Sequence, residues 1–123
     1  RHSSSAASDV YKRQIMELTG SPSIAAANFT MTATTVPNQP YVFFTGPNQI
    51  QAPFGDGFRC VGGTVIRIWP PGVATGNVAT RTIDLSVFGI TPGNWNFQCW
   101  FRDPMGGPSG FTLSDGIEAT IVP

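Results

Sequence analysis

The sequence predicts an all-β protein, specifically an antiparallel β-sandwich, and three observations support this prediction. Charged residues make up only 11% of the 123 residues, and glycine and proline together contribute 25 of them (14 + 11). Glycine and proline at this density interrupt any helical period and are typical of many short strands joined by tight turns. The third observation is that apolar residues recur with the period of two of half-buried strands, without a sustained helical period.

Alternating segments bounded by turn residues define the predicted strands. The clearest is 78–88, where Ile83, Leu85 and Val87 alternate with polar residues. The predicted strands are 24–35, 41–45, 58–69 with a break at Gly62-Gly63, 78–88, 94–102, 110–113 and 117–122. Segment 49–57 is predicted to be mostly loop, and Asp115-Gly116 is predicted to turn a final hairpin. About seven to eight short strands at this spacing fit an immunoglobulin-like or a jelly-roll topology equally well.

The first fourteen residues are expected to lie outside the native domain. Residues 4–14, SSAASDVYKRQ, resemble the in-frame translation of a sequencing-library adapter, residue for residue. Such scars are set aside when a fold is predicted, and the alternative is a disordered native tail. We therefore expect one domain over residues 15–123. Without residues 1–14 it holds four arginines and six acidic residues, a net charge of 4 − 6 = −2, with no lysine and no histidine.

Several function classes are disfavoured by this composition. There is no basic field to attract nucleic acid, and no apolar run approaches the roughly 20 residues that span a bilayer. The domain has no histidine base and no G-x-S-x-G motif, so catalysis by an activated nucleophile is not expected. Two cysteines without histidine are a poor zinc set. We expect no enzyme activity, no cofactor and no metal.

Three stretches of the chain resemble a known family. They are residues 36–49, where VPNQP is followed by FF and GPNQ; then FGDGFRCVGG at 54–63; then WNFQCWFRDP at 95–104 together with FTLSDG at 111–116. In this order they resemble the C-terminal β-sandwich module of exported proteins from planctomycete-type environmental bacteria. The resemblance implies a domain that is located outside the cell or at its surface and is joined to a larger exported protein. It implies no particular activity.

The two cysteines, Cys60 and Cys99, are expected to form a disulfide. They are the only cysteines in the chain, and the exported location that the resemblance implies is oxidising, which favours pairing. Many relatives carry a second cysteine just after the RDP turn, but residues 105–110 contain none. Two buried thiols are therefore the rival expectation.

Charged residues beside two predicted turns suggest an ionic network of Asp56, Arg59 and Asp103. Arginine and aspartate commonly hold loops through charge-assisted hydrogen bonds. The alternative is a Ca²⁺ site that combines Asp56 and Asp103 with Asp115. It is less favoured because Ca²⁺ takes roughly six to eight oxygen ligands and no EF-hand spacing is present.

Aromatic residues on the polar faces of two predicted strands are the candidate ligand surface. Strand parity places Arg67 beside Trp69, and it places Gln98 and Arg102 beside Trp100, on faces expected to point outward; Tyr41 is a further aromatic candidate. Aromatic rings flanked by hydrogen-bond donors can stack on sugar rings and hold their hydroxyl groups. The alternative is that these rings pack beneath loops or against neighbouring domains. The candidate ligand-binding residues are Trp69, Trp100, Arg67, Arg102 and Gln98.

Two functions follow as expectations. The first is a non-catalytic extracellular binding or adhesion module with a polysaccharide or another protein domain as its partner. The alternative is a structural or assembly module of a surface layer, filament or docking subunit, which acts by pairing of strand edges or faces. No nucleic acid and no membrane span are expected in either case.

Overall fold

A computed structural model describes residues 14–123 of the chain, and this part is built from ten β-strands. Short 3₁₀ turns at Ile24–Ala26 and Leu85–Phe88 interrupt the strand series. The strands are β1 Ile15–Thr19, β2 Phe29–Thr34, β3 Pro40–Gly46, β4 Asn48–Phe54, β5 Gly57–Gly62, β6 Ile66–Val73, β7 Val78–Ile83, β8 Gly93–Arg102, β9 Phe111–Leu113 and β10 Ile117–Ile121. Neither 3₁₀ turn, nor any other helix in this part, has the length and apolarity needed to cross a bilayer.

The strands form two main sheets and a separate hairpin, with antiparallel pairing throughout. The three-stranded sheet has the order β1-β2-β7. The five-stranded sheet has the order β10-β8-β3-β6, with β9 also paired to β8. Strands β4 and β5 pair with each other. The predicted class, an antiparallel β-sandwich, is confirmed, although with ten strands where seven to eight were expected.

The main hydrophobic core lies between the two sheets. On β2, the alternating residues Phe29, Met31 and Ala33 are all buried. On β8 the inward residues are Phe97, Cys99 and Phe101, as strand parity predicts. Phe29 and Phe97 touch across the core with ring centroids 5.0 Å apart, and burial of such rings supplies much of the driving force for folding.

A second, smaller core lies on the other face of the five-stranded sheet, which we call the outer face. Phe44 of β3 and Leu113 of β9 are buried there against Val61 of β5. Phe54 of β4 and Trp100 of β8 pack at the margin of the same cluster. The β4–β5 hairpin therefore forms a third layer that covers part of the outer face, and this layer was not predicted.

Residues 49–57 were predicted to be mostly loop, and this prediction is wrong for segment 48–54. It forms β4, whose residues alternate between exposed and half-buried positions. Pro53 and the turn at Gly55 make this stretch resemble a loop in sequence. Proline is nevertheless compatible with an edge strand, because its missing N–H can face solvent. Strand β1 was not predicted either, and the predicted strand 78–88 ends at Ile83, after which Val87 lies exposed on the 3₁₀ turn.

The predicted Asp-Gly hairpin is also wrong. Strands β9 and β10 do not pair with each other but follow one another along the same edge of β8. Residues 114–116 form an irregular, buried join between them. The Ser114 N–H donates to Cys99 O at 2.9 Å, and Asp115 Oδ1 accepts the Met16 N–H at 2.6 Å. Through these bonds, Ser114 and Asp115 connect β8 of the larger sheet with β1 of the smaller sheet.

The predicted disulfide is absent: within residues 14–123, Cys60 and Cys99 are not joined. Both are buried, but they lie on opposite sides of the five-stranded sheet. Cys99 belongs to the main core. Cys60 lies in the hairpin layer, where its sulfur is 3.4 Å from Nε2 of Gln98 on the outer face. A disulfide needs Cβ atoms that approach each other directly, and the sheet separates these two.

The expected boundary at residue 14 can be compared with the structure at Gln14 alone, since residues 1–13 lie outside the described residues. Gln14 is buried, and its carbonyl oxygen accepts the Asp115 N–H at 3.1 Å. The hydrogen-bonded part of the domain therefore includes Gln14.

Candidate functional site

The part of the outer face that the hairpin leaves uncovered forms an open aromatic groove. Pairing of β3 with β8 sets Val42 opposite Trp100, and Trp69 follows on the same face of β6. The groove has a volume of about 380 Å³, within the roughly 300–1,000 Å³ typical of small-ligand sites. Its lining consists of Pro40, Tyr41, Val42, Trp69, Pro71, Trp100, Phe101, Arg102, Ser109, Gly110 and Phe111.

Trp69 is the most accessible aromatic side chain of the groove, with 52% of its surface exposed. Its backbone is held by Arg81 of β7, in the opposite sheet. Arg81 Nη2 donates to Trp69 O at 2.8 Å, and Nη1 donates to Ile68 O at 2.9 Å and to Pro70 O at 2.6 Å. One guanidinium thus fixes three consecutive carbonyls, so the backbone beneath the exposed ring is well positioned.

Trp100 forms the boundary between the groove and a smaller cleft of about 50 Å³. Its ring meets Phe54 and Phe111 edge-on, with centroid distances of 5.6 and 5.8 Å. The Arg67 guanidinium carbon lies 5.8 Å from the Trp100 ring centroid, within the range of a cation–π contact. Trp100 is half-buried and is therefore both a ligand candidate and a packing residue. The position of Trp100 thus fits both the expected ligand surface and the alternative expectation that these rings pack beneath loops.

The indole N–H groups of Trp69 and Trp100 are available to a ligand. Within residues 14–123 neither donates a hydrogen bond, and neither is among the buried atoms without a partner. The third tryptophan differs, because Trp95 Nε1 donates to Thr91 O at 2.7 Å.

Gln98 does not belong to the exposed surface, and the expectation that it faces outward is wrong. It is on the predicted face of β8, but the hairpin covers that face and leaves Gln98 fully buried. Its Oε1 accepts the Cys60 N–H at 2.8 Å. Its Nε2 donates to Phe58 O at 2.8 Å and to Ser114 O at 2.7 Å. Gln98 therefore joins the hairpin to the sheet.

Tyr41 is half-buried at the edge of the groove. Its hydroxyl donates to Thr80 O at 3.2 Å, and its ring meets Phe43 edge-on at 5.4 Å. A Cβ at Gly72 would lie 2.7 Å from this hydroxyl oxygen, so glycine is needed for the close approach. Burial raises the pKa of the Tyr41 hydroxyl. The side chain is committed to the two-sheet framework and does not offer a stacking face.

The expected ionic network is not formed. Within residues 14–123, no ion pair joins Asp56, Arg59 and Asp103, and Asp56 Oδ2 and Arg59 Nε are buried without a hydrogen-bond partner. Instead, both carboxylates pack against the loop that follows β8. A Cβ at Gly106 would overlap the Asp103 carboxylate, and one at Gly107 would lie 2.6 Å from Asp56 Cγ.

The same loop forms one wall of the groove. The Ser109 N–H donates to Asp56 Oδ1 at 3.2 Å, and the Asp103 N–H donates to Gly110 O at 2.9 Å. These two bonds fix the loop beside Phe111. The alternative Ca²⁺ site is not formed, because residues 14–123 contain no group of three or more His, Cys, Asp or Glu side chains placed to hold a metal ion.

Apart from Tyr41, Trp69, Trp100 and Arg102, the lining residues were not anticipated, and neither was Arg81, which supports the groove from the other sheet. Phe111 could have been found from the alternation of Phe111 and Leu113 in β9. Arg81 carries no such signal, because it acts on backbone carbonyls of a strand in the other sheet.

Comparison of the chain with models of known protein families, with curated proteins and with solved structures finds no match. The fold and the site together define a β-sandwich that presents a pre-formed aromatic groove on the outer face of its larger sheet. The lining is mostly aromatic and aliphatic, and Arg102 and Ser109 add polar side chains. Such a surface can hold a flat, partly apolar ring and hydrogen-bond to its substituents.

Proposed function

We propose that this domain is a non-catalytic module that binds carbohydrate, and that it works outside the cell as one part of a larger exported bacterial protein. The observation that carries the proposal is the exposed ring of Trp69 in the same groove as Trp100. The extracellular location rests on the sequence resemblance of residues 54–63, 95–104 and 111–116 to exported modules.

The chemistry of the groove supports a saccharide as the ligand. A pyranose ring has an apolar C–H face that packs on an aromatic ring, and it has hydroxyl groups at its rim. Trp69 and Trp100 offer the aromatic surface together with two unused indole donors. Arg102 and Ser109 add polar groups along the wall. These groups suit holding and orienting a ring, and they favour binding over proton transfer.

The rigidity of the groove supports binding in a second way. Arg81 fixes the backbone beneath Trp69, and the edge contacts with Phe54 and Phe111 hold the Trp100 ring. A surface that is ordered before the ligand arrives loses less conformational entropy on binding.

The proposal is tested by titrating the protein with soluble neutral and acidic polysaccharides and measuring affinity by calorimetry. We expect saturable binding and a loss of about tenfold or more in Trp69→Ala, since exposed tryptophans are frequent binding hot spots. The control is Val87→Ala, which truncates a side chain that is 72% exposed on the 3₁₀ turn. Absence of binding to every polysaccharide, or equal affinity of Trp69→Ala and the wild type, would contradict the proposal.

A second candidate is assembly through a strand edge, and β4 favours it. Strand β4 pairs with β5 along one edge and with no other described strand. Sedimentation velocity over a wide range of concentrations tests this. Higher oligomers would support assembly, and a monomer at every concentration would exclude it.

A further inference from the structure

Three of the four arginines in the described part surround Trp100 on the outer face. Arg102 lines the groove, and Arg59 and Arg67 line the small cleft on the other side of Trp100. Within residues 14–123, none of the three forms an ion pair. Arg67 and Arg102 are exposed. The fourth, Arg81, is committed to three backbone carbonyls.

The carboxylates of Asp56 and Asp103, on the loops beside the groove, form no ion pair with these arginines within the described residues. Asp103 is only 8% exposed and lies under Gly106, and Asp56 accepts the Ser109 N–H through one oxygen while its other oxygen is buried. Glu118 is paired opposite Asn96, towards the far end of β8 from Arg102. The positive charge beside Trp100 is thus local, in a domain whose residues 15–123 have a net charge of −2.

We propose that the groove selects an acidic saccharide: a pyranose ring lies against Trp69 and Trp100, its carboxylate or sulfate is bound by Arg102, and Arg67 on the other side of Trp100 adds positive charge. This inference rests on the carbohydrate-binding function proposed above and names the substrate class. Guanidinium groups match both anions, because they offer paired N–H donors in one plane and stay charged at all ordinary pH values. The whole chain has a formal net charge of zero, so no overall field attracts a polyanion, and recognition depends on these local cations.

Two pairs of probes isolate the anion from the sugar ring. Polygalacturonate is compared with its methyl ester, and dextran sulfate is compared with dextran. In each pair the pyranose backbone is kept and the negative charge is removed. We expect the acidic member to bind at least about tenfold more tightly at low ionic strength, and this preference to shrink at about 1 M salt, where the screening length is only ~3 Å.

Three variants link the preference to named residues. Arg102→Gln and Arg67→Gln each remove one positive charge, and we expect each to weaken binding of the acidic probe about three- to tenfold, as for a hydrogen-bonded charge at a partly exposed site. For both variants the affinity for the neutral probe should fall by less than the affinity for the acidic probe, because glutamine keeps hydrogen-bonding groups but carries no charge. Val87→Glu lowers the net charge by the same amount on the exposed 3₁₀ turn, and it should leave both affinities unchanged. Melting temperatures check that all three variants fold.

The outcomes separate the two proposals. Equal affinity for the acidic and neutral members of both pairs would overturn the acidic preference and leave the saccharide site standing. Failure of all four probes to bind would overturn both. The inference would also be overturned if Val87→Glu reduced the acidic preference as much as Arg102→Gln and Arg67→Gln do. Preference within only one pair would support it and identify the anion as a carboxylate or a sulfate.

Discussion

Replacement of Gln98 by leucine tests how the hairpin layer is attached to the sheet. The change keeps the volume but removes four hydrogen bonds, with Cys60 N, Cys60 Sγ, Phe58 O and Ser114 O. The bonds to Cys60 and Ser114 are buried, and each backbone group left without a partner costs about 1–3 kcal/mol. Two such groups give about 2–6 kcal/mol. The added apolar surface offsets roughly 1 kcal/mol of this, so we expect a net loss of about 3 kcal/mol in the free energy of unfolding.

Urea unfolding with linear extrapolation measures this loss. Gln49→Leu is the matched control, because the same chemical change is made at an exposed position of β4, and we expect it to alter stability by less than about 0.5 kcal/mol. Hydrogen exchange should also show reduced protection of the Cys60 amide in Gln98→Leu. A loss in Gln98→Leu below about 1 kcal/mol would refute the reasoning, since it would mean that the orphaned groups find water or other partners at little cost.

Three further outcomes are expected. Trp69→Ala should change the free energy of unfolding by less than about 0.5 kcal/mol. Trp100→Ala should lower it by about 2–3 kcal/mol, because two ring contacts are lost. Equal effects of the two changes would contradict the exposed position of Trp69 and the half-buried position of Trp100. Arg81→Met should lower the free energy of unfolding by about 2 kcal/mol, because three backbone carbonyls lose their hydrogen-bond donor, and it should weaken saccharide binding. Unchanged stability would argue against the bonds from Arg81 to the backbone of β6. Thiol titration should find two reactive thiols per chain in the protein unfolded without reductant. It should find almost none in the folded protein, because burial raises the pKa of the Cys99 thiol. A disulfide would leave no reactive thiol even after unfolding.

Local alternation was sufficient to predict the sandwich and much of the main core. In β2 and β8, the period of two identified the buried face correctly. It also placed Trp69, Trp100 and Arg102, which the structure brings to one groove. Strand parity succeeds here because neighbouring strands share the same faces of a sheet.

Parity could not show what covers a face. Gln98 was expected in solvent because polar residues on a half-buried strand usually point there, but β4 and β5 fold over it. The pairing of the cysteines failed for the same reason, since a third layer places Cys60 and Cys99 on opposite sides of one sheet. Asp115 was assigned to a hairpin because Asp-Gly is a local turn signal. Its actual role, a side-chain bond to the Met16 N–H, joins residues far apart in sequence and could not be predicted from the local pattern.

The central claim, that the groove binds a saccharide, is tested most directly by the three indole N–H signals in a ¹⁵N-correlated NMR spectrum. Trp95 is an internal reference, because its indole N–H is already bonded to Thr91 O and it does not line the groove. On titration with galacturonate oligomers and with their methyl esters, we expect the signals of Trp69 and Trp100 to shift saturably, with the larger effect for the acidic oligomers, while the Trp95 signal stays in place. Three unmoved signals with both oligomers, or a shift of Trp95 as large as that of Trp69, would contradict the claim.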